Sequence, residues 1–432
     1  MKKISTIFII SLFILCSIFS LFACTYNNEN NNTVAKEYIT DFLNKDFDEM
    51  LNSYNYDAAM ATVLTQKVLE NAYADTIEPL GSRTSLEYQS DEDGTVSYLA
   101  IFESGSLILK VTFDNEDKIS GFHYEPYDDL QMPDTIEEKE VSIGWSYELQ
   151  GTLTTPKEGS CDTVVILVQG SGASDRNESM GALKPFRDIA WGLAQKGVAV
   201  YRYDKRTYTY AEKMAEKDDF TVYDEVIDDV VNAYNKMNSL GFKNIYIAGH
   251  SFGGYLMGRI SQELYWADGY IIMAGNVTPI EDLILTQINY LANFDGNVTE
   301  SEQAQINTYD KQIAAIKALT KENANEYLPS QLLSAQASYW LDLKTYDPIA
   351  TIKKSRAKIL ILQGAKDYQV TLSEYAKWQN GLSDRDNVTY ILYDNLNHLF
   401  MPSTVMSADD YTNLNYVDSN VINDIYAFVS NL

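Results

Sequence analysis

Ile245-Tyr246-Ile247-Ala248-Gly249-His250-Ser251-Phe252-Gly253-Gly254 is the most informative run in the chain. Its first four residues are an apolar stretch suited to a strand buried on both faces. Gly-x-Ser-x-Gly follows without a spacer, and the helix-like stretch Tyr255–Leu264 follows that. Strand, Gly-x-Ser-x-Gly and helix in that order form the context of a nucleophile elbow. The turn is too tight for a Cβ on either side of the serine, so small residues flank it. It lifts the Ser251 hydroxyl above the sheet, where a base can reach it. The bland alternative is a structural Gly-rich turn, and the flanking strand, the helix and the extra Gly254 argue against it.

On both sides of this run, short apolar segments alternate with helical patterns, the signature of a doubly wound, mostly parallel α/β sheet. Val164–Val168, Val198–Tyr203, Tyr270–Met273, Lys358–Leu362 and Thr389–Tyr393 read as further central strands. Pro185–Gln195 and Val222–Leu240 read as helices between them. Residues 277–343 break the rhythm with helix-like sequence. An insertion after the carboxyl end of a strand lies over the ligand crevice of an open α/β sheet. This one is expected to form a helical cap.

A serine hydroxyl needs an adjacent base to act as a nucleophile, and the chain has only three histidines. His250 neighbours the serine on the turn and is expected to point elsewhere. His123 precedes the sheet and reads as solvated surface. His398 remains, in Asn395-Leu396-Asn397-His398 after the last clear strand. A third group should orient the imidazole and stabilise its cation. Asp367 occupies a loop at the carboxyl end of the strand Lys358–Leu362. The other usual position, after the preceding strand, offers Asn276. Ser251, Asp367 and His398 thus form the expected catalytic set, in the order serine, acid, histidine. A further loop, Gln169-Gly170-Ser171-Gly172-Ala173-Ser174-Asp175-Arg176, follows the strand Val164–Val168. It superficially suggests dinucleotide binding, but Asp175 stands where the third glycine belongs. An oxyanion hole is the better reading, with one backbone N–H from Phe252 and one from Ser171.

These runs carry a resemblance. From Val141 onward the chain resembles the α/β-hydrolase family of bacterial EstD-type carboxylesterases and dienelactone-hydrolase-like serine hydrolases. Besides Gly249–Gly254, the matching runs are Gly170-Ser171-Gly172 with Asp175-Arg176, Lys184-Pro185-Phe186-Arg187-Asp188, and Arg202-Tyr203-Asp204-Lys205-Arg206. Leu362-Gln363-Gly364 with Asp367-Tyr368-Gln369-Val370, and Leu396-Asn397-His398-Leu399-Phe400, complete the set. Gln169 departs from the family's usual histidine, which implies altered hydrogen bonding in the oxyanion loop. Arg202, Asp204 and Arg206 read as structural turn residues. The resemblance implies small or medium acyl esters as substrates and no cofactor. In the cap, Tyr290, Tyr339 and Trp340 are candidates for an acyl pocket or for core packing.

The 432 residues leave room for more than this unit. Lys2 and Lys3 precede an apolar run ending at Phe22-Ala23-Cys24, the pattern of a secretory signal and similar to a bacterial lipobox. The expected organisation is a signal peptide (1–23), an Asn-rich tether (24–33), an α+β accessory domain (34–125), a linker (126–140) and the hydrolase (141–432). Cys24 would carry the lipid and anchor the protein outside the cytoplasm; an uncleaved membrane span is the alternative. With Cys16 in the signal, only Cys161 remains, so no internal disulfide is expected. The accessory segment resembles an uncharacterised domain found ahead of bacterial hydrolases, with an NTF2-like curved sheet as one form.

Lys and Arg number 33 against 61 Asp and Glu, a formal charge of −28. That balance excludes phosphate-backbone binding to nucleic acid and adsorption to an anionic bilayer, so any membrane contact would be through the lipid. Three His and three Cys, without HExxH or paired CxxC, give no signal for a metal site. The expectation is a serine carboxylesterase acting on a small-molecule ester. A peptidase, thioesterase or acyltransferase would use the same groups, and a catalytically silent binding lipoprotein stays open.

Overall fold

The computed structural model describes residues 29–430, which fall into two compact units. The signal peptide, Cys16 and Cys24 lie outside the described residues.

The smaller unit is an antiparallel meander in the order β1 (Arg83–Glu92), β2 (Thr95–Phe102), β3 (Gly105–Phe113), β4 (Ile119–Pro126). The helix Glu29–Asn44 buries Ala35, Tyr38, Ile39 and Phe42, the spacing of one helical face. Tyr38 and Phe42 meet the Phe122 ring of β4 edge-on at 5.2 and 4.9 Å. This helix starts inside the stretch read as a tether. Tertiary contacts explain why: Asn31 donates to Asp117 and Tyr98 donates to Asn32, at 3.0 and 2.6 Å. Two further helices follow, Ala58–Val63 and Gln66–Thr76. Thr65 caps the second through Val68 N–H.

The larger unit holds an eight-stranded sheet, ordered β12-β11-β10-β9-β7-β8-β6-β5. Its strands are β5 (Ile136–Glu140), β6 (Gly151–Pro156), β7 (Thr163–Val168), β8 (Ala199–Tyr203), β9 (Asn244–His250), β10 (Gly269–Met273), β11 (Lys358–Gly364) and β12 (Val388–Tyr393). From β12 to β8 every pairing is parallel, and β6 and β5 add an antiparallel edge. This is the expected α/β-hydrolase sheet. Strand β5 lies within the stretch read as linker. Its sequence after Ile136 is Glu-Glu-Lys-Glu, and charge on an edge strand blocks further pairing while erasing the apolar signature. The Glu138 carboxylate also accepts from Arg202 and from the Trp191 indole, both at 2.7 Å.

Between β10 and β11 lies the cap, with helices Ile280–Ala292, Glu300–Ala318 and Ala337–Leu343. Thr299 and Glu302 form a reciprocal capping box at the start of the second. Glu374 fastens the beginning of the cap by accepting from the N–H groups of Val277 and Thr278, each at 2.7 Å. Cys161 sits half-buried before β7, and its sulfur accepts from Ala199 N–H at 3.1 Å. Burial pushes the thiol up, which suits packing rather than nucleophilic chemistry.

Candidate active site

Ser251 follows β9 with φ +51° and ψ −113°, a left-handed conformation that costs a side-chain-bearing residue about 1–3 kcal/mol. The turn is held by its surroundings. Ser251 N–H donates to Met273 O of the neighbouring strand at 2.8 Å, and Ser251 O accepts from Tyr255 N–H at 2.9 Å. The flanking glycines are required by close approach. A Cβ at Gly249 would stand 2.4 Å from Gly253 O, and one at Gly253 would stand 2.6 Å from Val168 O. Through Gly253, the elbow therefore packs directly on the end of β7, where the loop 169–176 begins.

That loop lies beside the serine. A methyl group on Gly170 would stand 3.3 Å from Ser251 Cβ and 3.7 Å from its Oγ. Side chains that the sequence reading did not assign hold the loop open. Glu178 accepts from Gly170 N–H at 2.6 Å, and Glu225 accepts from Gly172 N–H at 3.1 Å. Ser171 stands between them, and among the described residues its own N–H has no protein acceptor. Phe252 opens a short helix, so no preceding turn offers its N–H a carbonyl. Lys205, 2% exposed, donates to Gly170 O at 2.7 Å and pairs with Glu225 at 2.8 Å. Gln169 is buried and donates to Tyr203 O and to Asp175 O. It thereby ties the start of the loop to the end of β8.

Asp367 and His398 meet at the carboxyl end of β11. His398 Nδ1 lies 2.7 Å from Asp367 Oδ2, with both side chains buried. Because a carboxylate only accepts, Nδ1 carries the proton of this bond in the neutral ring and leaves Nε2 as a base. The other Asp367 oxygen accepts from Gln369 N–H and Val370 N–H, each at 2.8 Å, and Gln363 donates to Oδ2 at 3.2 Å. Gly364 lets the two loops touch, since a Cβ there would lie 2.3 Å from Leu396 O. Lys366 N–H donates to that same carbonyl at 2.9 Å. The His398 ring is 4.6 Å from the His250 ring, centroid to centroid. His250 thus turns away from Ser251, toward the loop bearing His398. Asn276 is buried, with its amide donating to Thr278 O.

The cap reaches the same loops. Tyr290 stacks on Tyr368, next to Asp367, at 5.6 Å, and Gln287 donates to Gln369 O at 3.0 Å. Tyr339 donates to Glu225 at 2.8 Å, and the Trp340 indole donates to Leu332 O at 2.7 Å. Both residues are buried, which makes them packing and bracing groups. Arg176 with Asp204, Arg202 with Glu138 and Arg206 with Asp229 form ion pairs at strand ends, as expected of structural residues. Among the described residues, no group of three or more His, Cys, Asp or Glu is arranged to hold a metal.

Residues 163–402 match the sequence family described as serine aminopeptidase, S33, which is more than half of the chain. The chain belongs to this family. It is accordingly a serine hydrolase, and a relative agrees: it is 32% identical over 336 residues to Esterase EstD of Thermotoga maritima, covering 75% of this chain and 76% of that one. Residues 35–122 match a separate family described as a protein of unknown function, DUF3887. Among solved structures, Est1E from Butyrivibrio proteoclasticus is 15% identical with a TM-score of 0.43, covering 67% of this chain and 96% of its own. A Mycobacterium tuberculosis puromycin-hydrolyzing peptidase is 12% identical with a TM-score of 0.44, covering 78% of this chain and 45% of its own.

Proposed function

We propose that this serine hydrolase is a carboxylesterase that turns over small or medium acyl esters through Ser251, His398 and Asp367. Ser251 Oγ attacks the ester carbonyl while its proton passes to His398 Nε2. The N–H groups of Phe252 and Ser171 hold the oxyanion, a contribution of about 3–4 kcal/mol per donor. The tetrahedral intermediate collapses, the C–O bond to the alcohol breaks, and His398 returns the proton to the leaving oxygen. Water, deprotonated by the same imidazole, then attacks the acyl-enzyme and releases the acid. Asp367 keeps the ring oriented and offsets its transient charge. The observation that carries this reading is the 2.7 Å Asp367–His398 contact, both groups buried, on loops bonded to one another beside the elbow.

Rapid mixing with p-nitrophenyl esters of increasing acyl length tests it. Wild type should show a burst of p-nitrophenol equal to the enzyme concentration, with Ser251→Ala showing none. A steady rate unaffected by Ser251→Ala would refute the assignment. The family's description favours one second reading, an aminopeptidase. Turnover of amino-acid naphthylamides with a higher kcat/KM than of any acyl ester would select it. A protein that binds without turnover would show neither reaction.

The proposal extends to location: residues 1–23 act as a signal and Cys24 is lipidated, which places the enzyme outside the cytoplasm on a membrane. Its support is the sequence Leu21-Phe22-Ala23-Cys24 after a basic and apolar start. Metabolic labelling with a fatty acid should mark wild type and not Cys24→Ser. Equal labelling of the two would contradict it.

A further inference from the structure

His250 makes two contacts that no account of Ser251, Asp367 and His398 requires. Its ring is 4% exposed and stands between two loops. On one side Nε2 lies 2.9 Å from the backbone carbonyl of His398. On the other, Nδ1 lies 2.9 Å from Glu178 Oε2, an ion-pair contact whose angle falls outside hydrogen-bond alignment. The second oxygen of Glu178 accepts the Gly170 N–H at 2.6 Å, one residue before Ser171. The rings of Phe186 and Phe400 stand 6.5 and 6.3 Å away. The titratable groups around His250 are Glu178, His398 and, beyond it, Asp367.

A carbonyl and a carboxylate both only accept. A neutral imidazole that donates from Nε2 to the carbonyl would turn the Nδ1 lone pair toward the carboxylate; the imidazolium still donates to the carbonyl and presents positive charge to the carboxylate. We propose that His250 is a cationic positioning residue, which through Glu178 ties the loop bearing His398 to the loop bearing Ser171. The inference rests on the reading of those loops as base and oxyanion elements. Burial works against the charge, but Glu178 close by and the His398 carbonyl outweigh it and hold His250 above the ordinary imidazole range. The consequence is a second pH limit. His398 must be neutral to accept a proton, whereas His250 must be charged to hold both loops. Activity should therefore fall on the alkaline side as His250 loses its proton.

Imidazole NMR of the intact chain reads this directly, and only three histidines need assignment. The His250 resonance, identified by its loss in His250→Gln, should keep the imidazolium signature through neutral pH and titrate above the ordinary 6.5. Glu178→Gln offers an amide donor to Nδ1 and keeps an acceptor for Gly170 N–H, so it accommodates a neutral ring. In that variant the imidazolium signature and the alkaline limb of kcat should both disappear. His250→Phe should lower kcat by on the order of 10–100-fold with little change in KM, the scale of a positioning defect. A neutral His250 at pH 7 in wild type, or an unshifted alkaline limb in Glu178→Gln, would overturn the inference. Full turnover by Ser251→Ala would overturn the serine reading and the catalytic meaning of the tie together. The NMR signature separates that outcome from failure of the tie, because it does not depend on turnover.

Discussion

Ser251 is held at φ +51° by packing that leaves no room for side chains at Gly249 or Gly253, and His398 is held by one carboxylate oxygen whose neighbour is already bound to two backbone amides. Asp367→Asn keeps the shape of that arrangement but can present an N–H to the imidazole, which favours the wrong tautomer. It should lower kcat by roughly 10⁴-fold while circular dichroism and the urea midpoint stay near wild type. These residues were legible in the sequence for local reasons. The elbow is six consecutive residues, and with three histidines His398 is the candidate base by elimination. Glu178, Lys205 and Glu225 were not legible. They bond Gly170 and Gly172 from 8, 35 and 53 positions away, and only the folded sheet brings them to one loop. The Arg202–Arg206 run held a partial signal, since Lys205 is a cation two residues after a buried strand. His250 closes β9, and its partners, the His398 carbonyl and Glu178, lie 148 and 72 positions away, so the sequence carries no sign of them.

The elements that carry the site were read with uneven success, and hydrophobic burial explains the difference. Strands β7 to β11 are buried nearly throughout, so each is a run of apolar residues that polar loops cannot imitate. Strand β5 is a polar edge and β4 mixes Gly, His and Glu into its run. Both owe their form to the neighbour they pair with rather than to a pattern of their own. The helix from Glu29 begins among asparagines that read as a tether, because the contacts to Asp117 and Tyr98 are tertiary. The elbow also depends on one close approach, that of Gly253 to the end of β7. Gly253→Ala places a methyl group 2.6 Å from Val168 O and 2.8 Å from Gln169 O, and backbone cannot step aside as a flexible side chain can. That variant should unfold at lower urea than wild type by about 1–3 kcal/mol. Its remaining folded fraction should be slow in turnover, since the strain falls on the loop next to Ser251. A wild-type midpoint and rate would show that the contact is not as tight as described.

In the whole molecule, two compact units have separate cores, and the residues of the proposed reaction all lie in the larger. In the smaller, one carboxyl ties stability to pH. Glu125 on β4 is pulled from the ordinary 4.5 to about 2, by His123 first and also by Lys110 at 2.5 Å, against the effect of burial. A carboxyl lowered in the folded state stabilises it above the unfolded value, and that contribution is lost as pH falls through the folded value. Protection factors for hydrogen exchange across residues 83–126, taken relative to the intrinsic rate at each pH, should therefore fall between pH 4.5 and about 2, and Glu125→Gln should flatten that dependence. Buried polar groups of the larger unit, Glu225, Glu178 and His250, link the cap, the loop 169–176 and the loop bearing His398. The loop 169–176 lies beside Ser251, and the reactivity of that hydroxyl decides the proposed reaction. The most direct measurement is mass spectrometry of the intact chain after exposure to a fluorophosphonate. The predicted result is one phosphonyl adduct per chain, located on Ser251 by peptide mapping and absent from Ser251→Ala. Equal labelling of wild type and Ser251→Ala, or none in wild type that is folded, would contradict it.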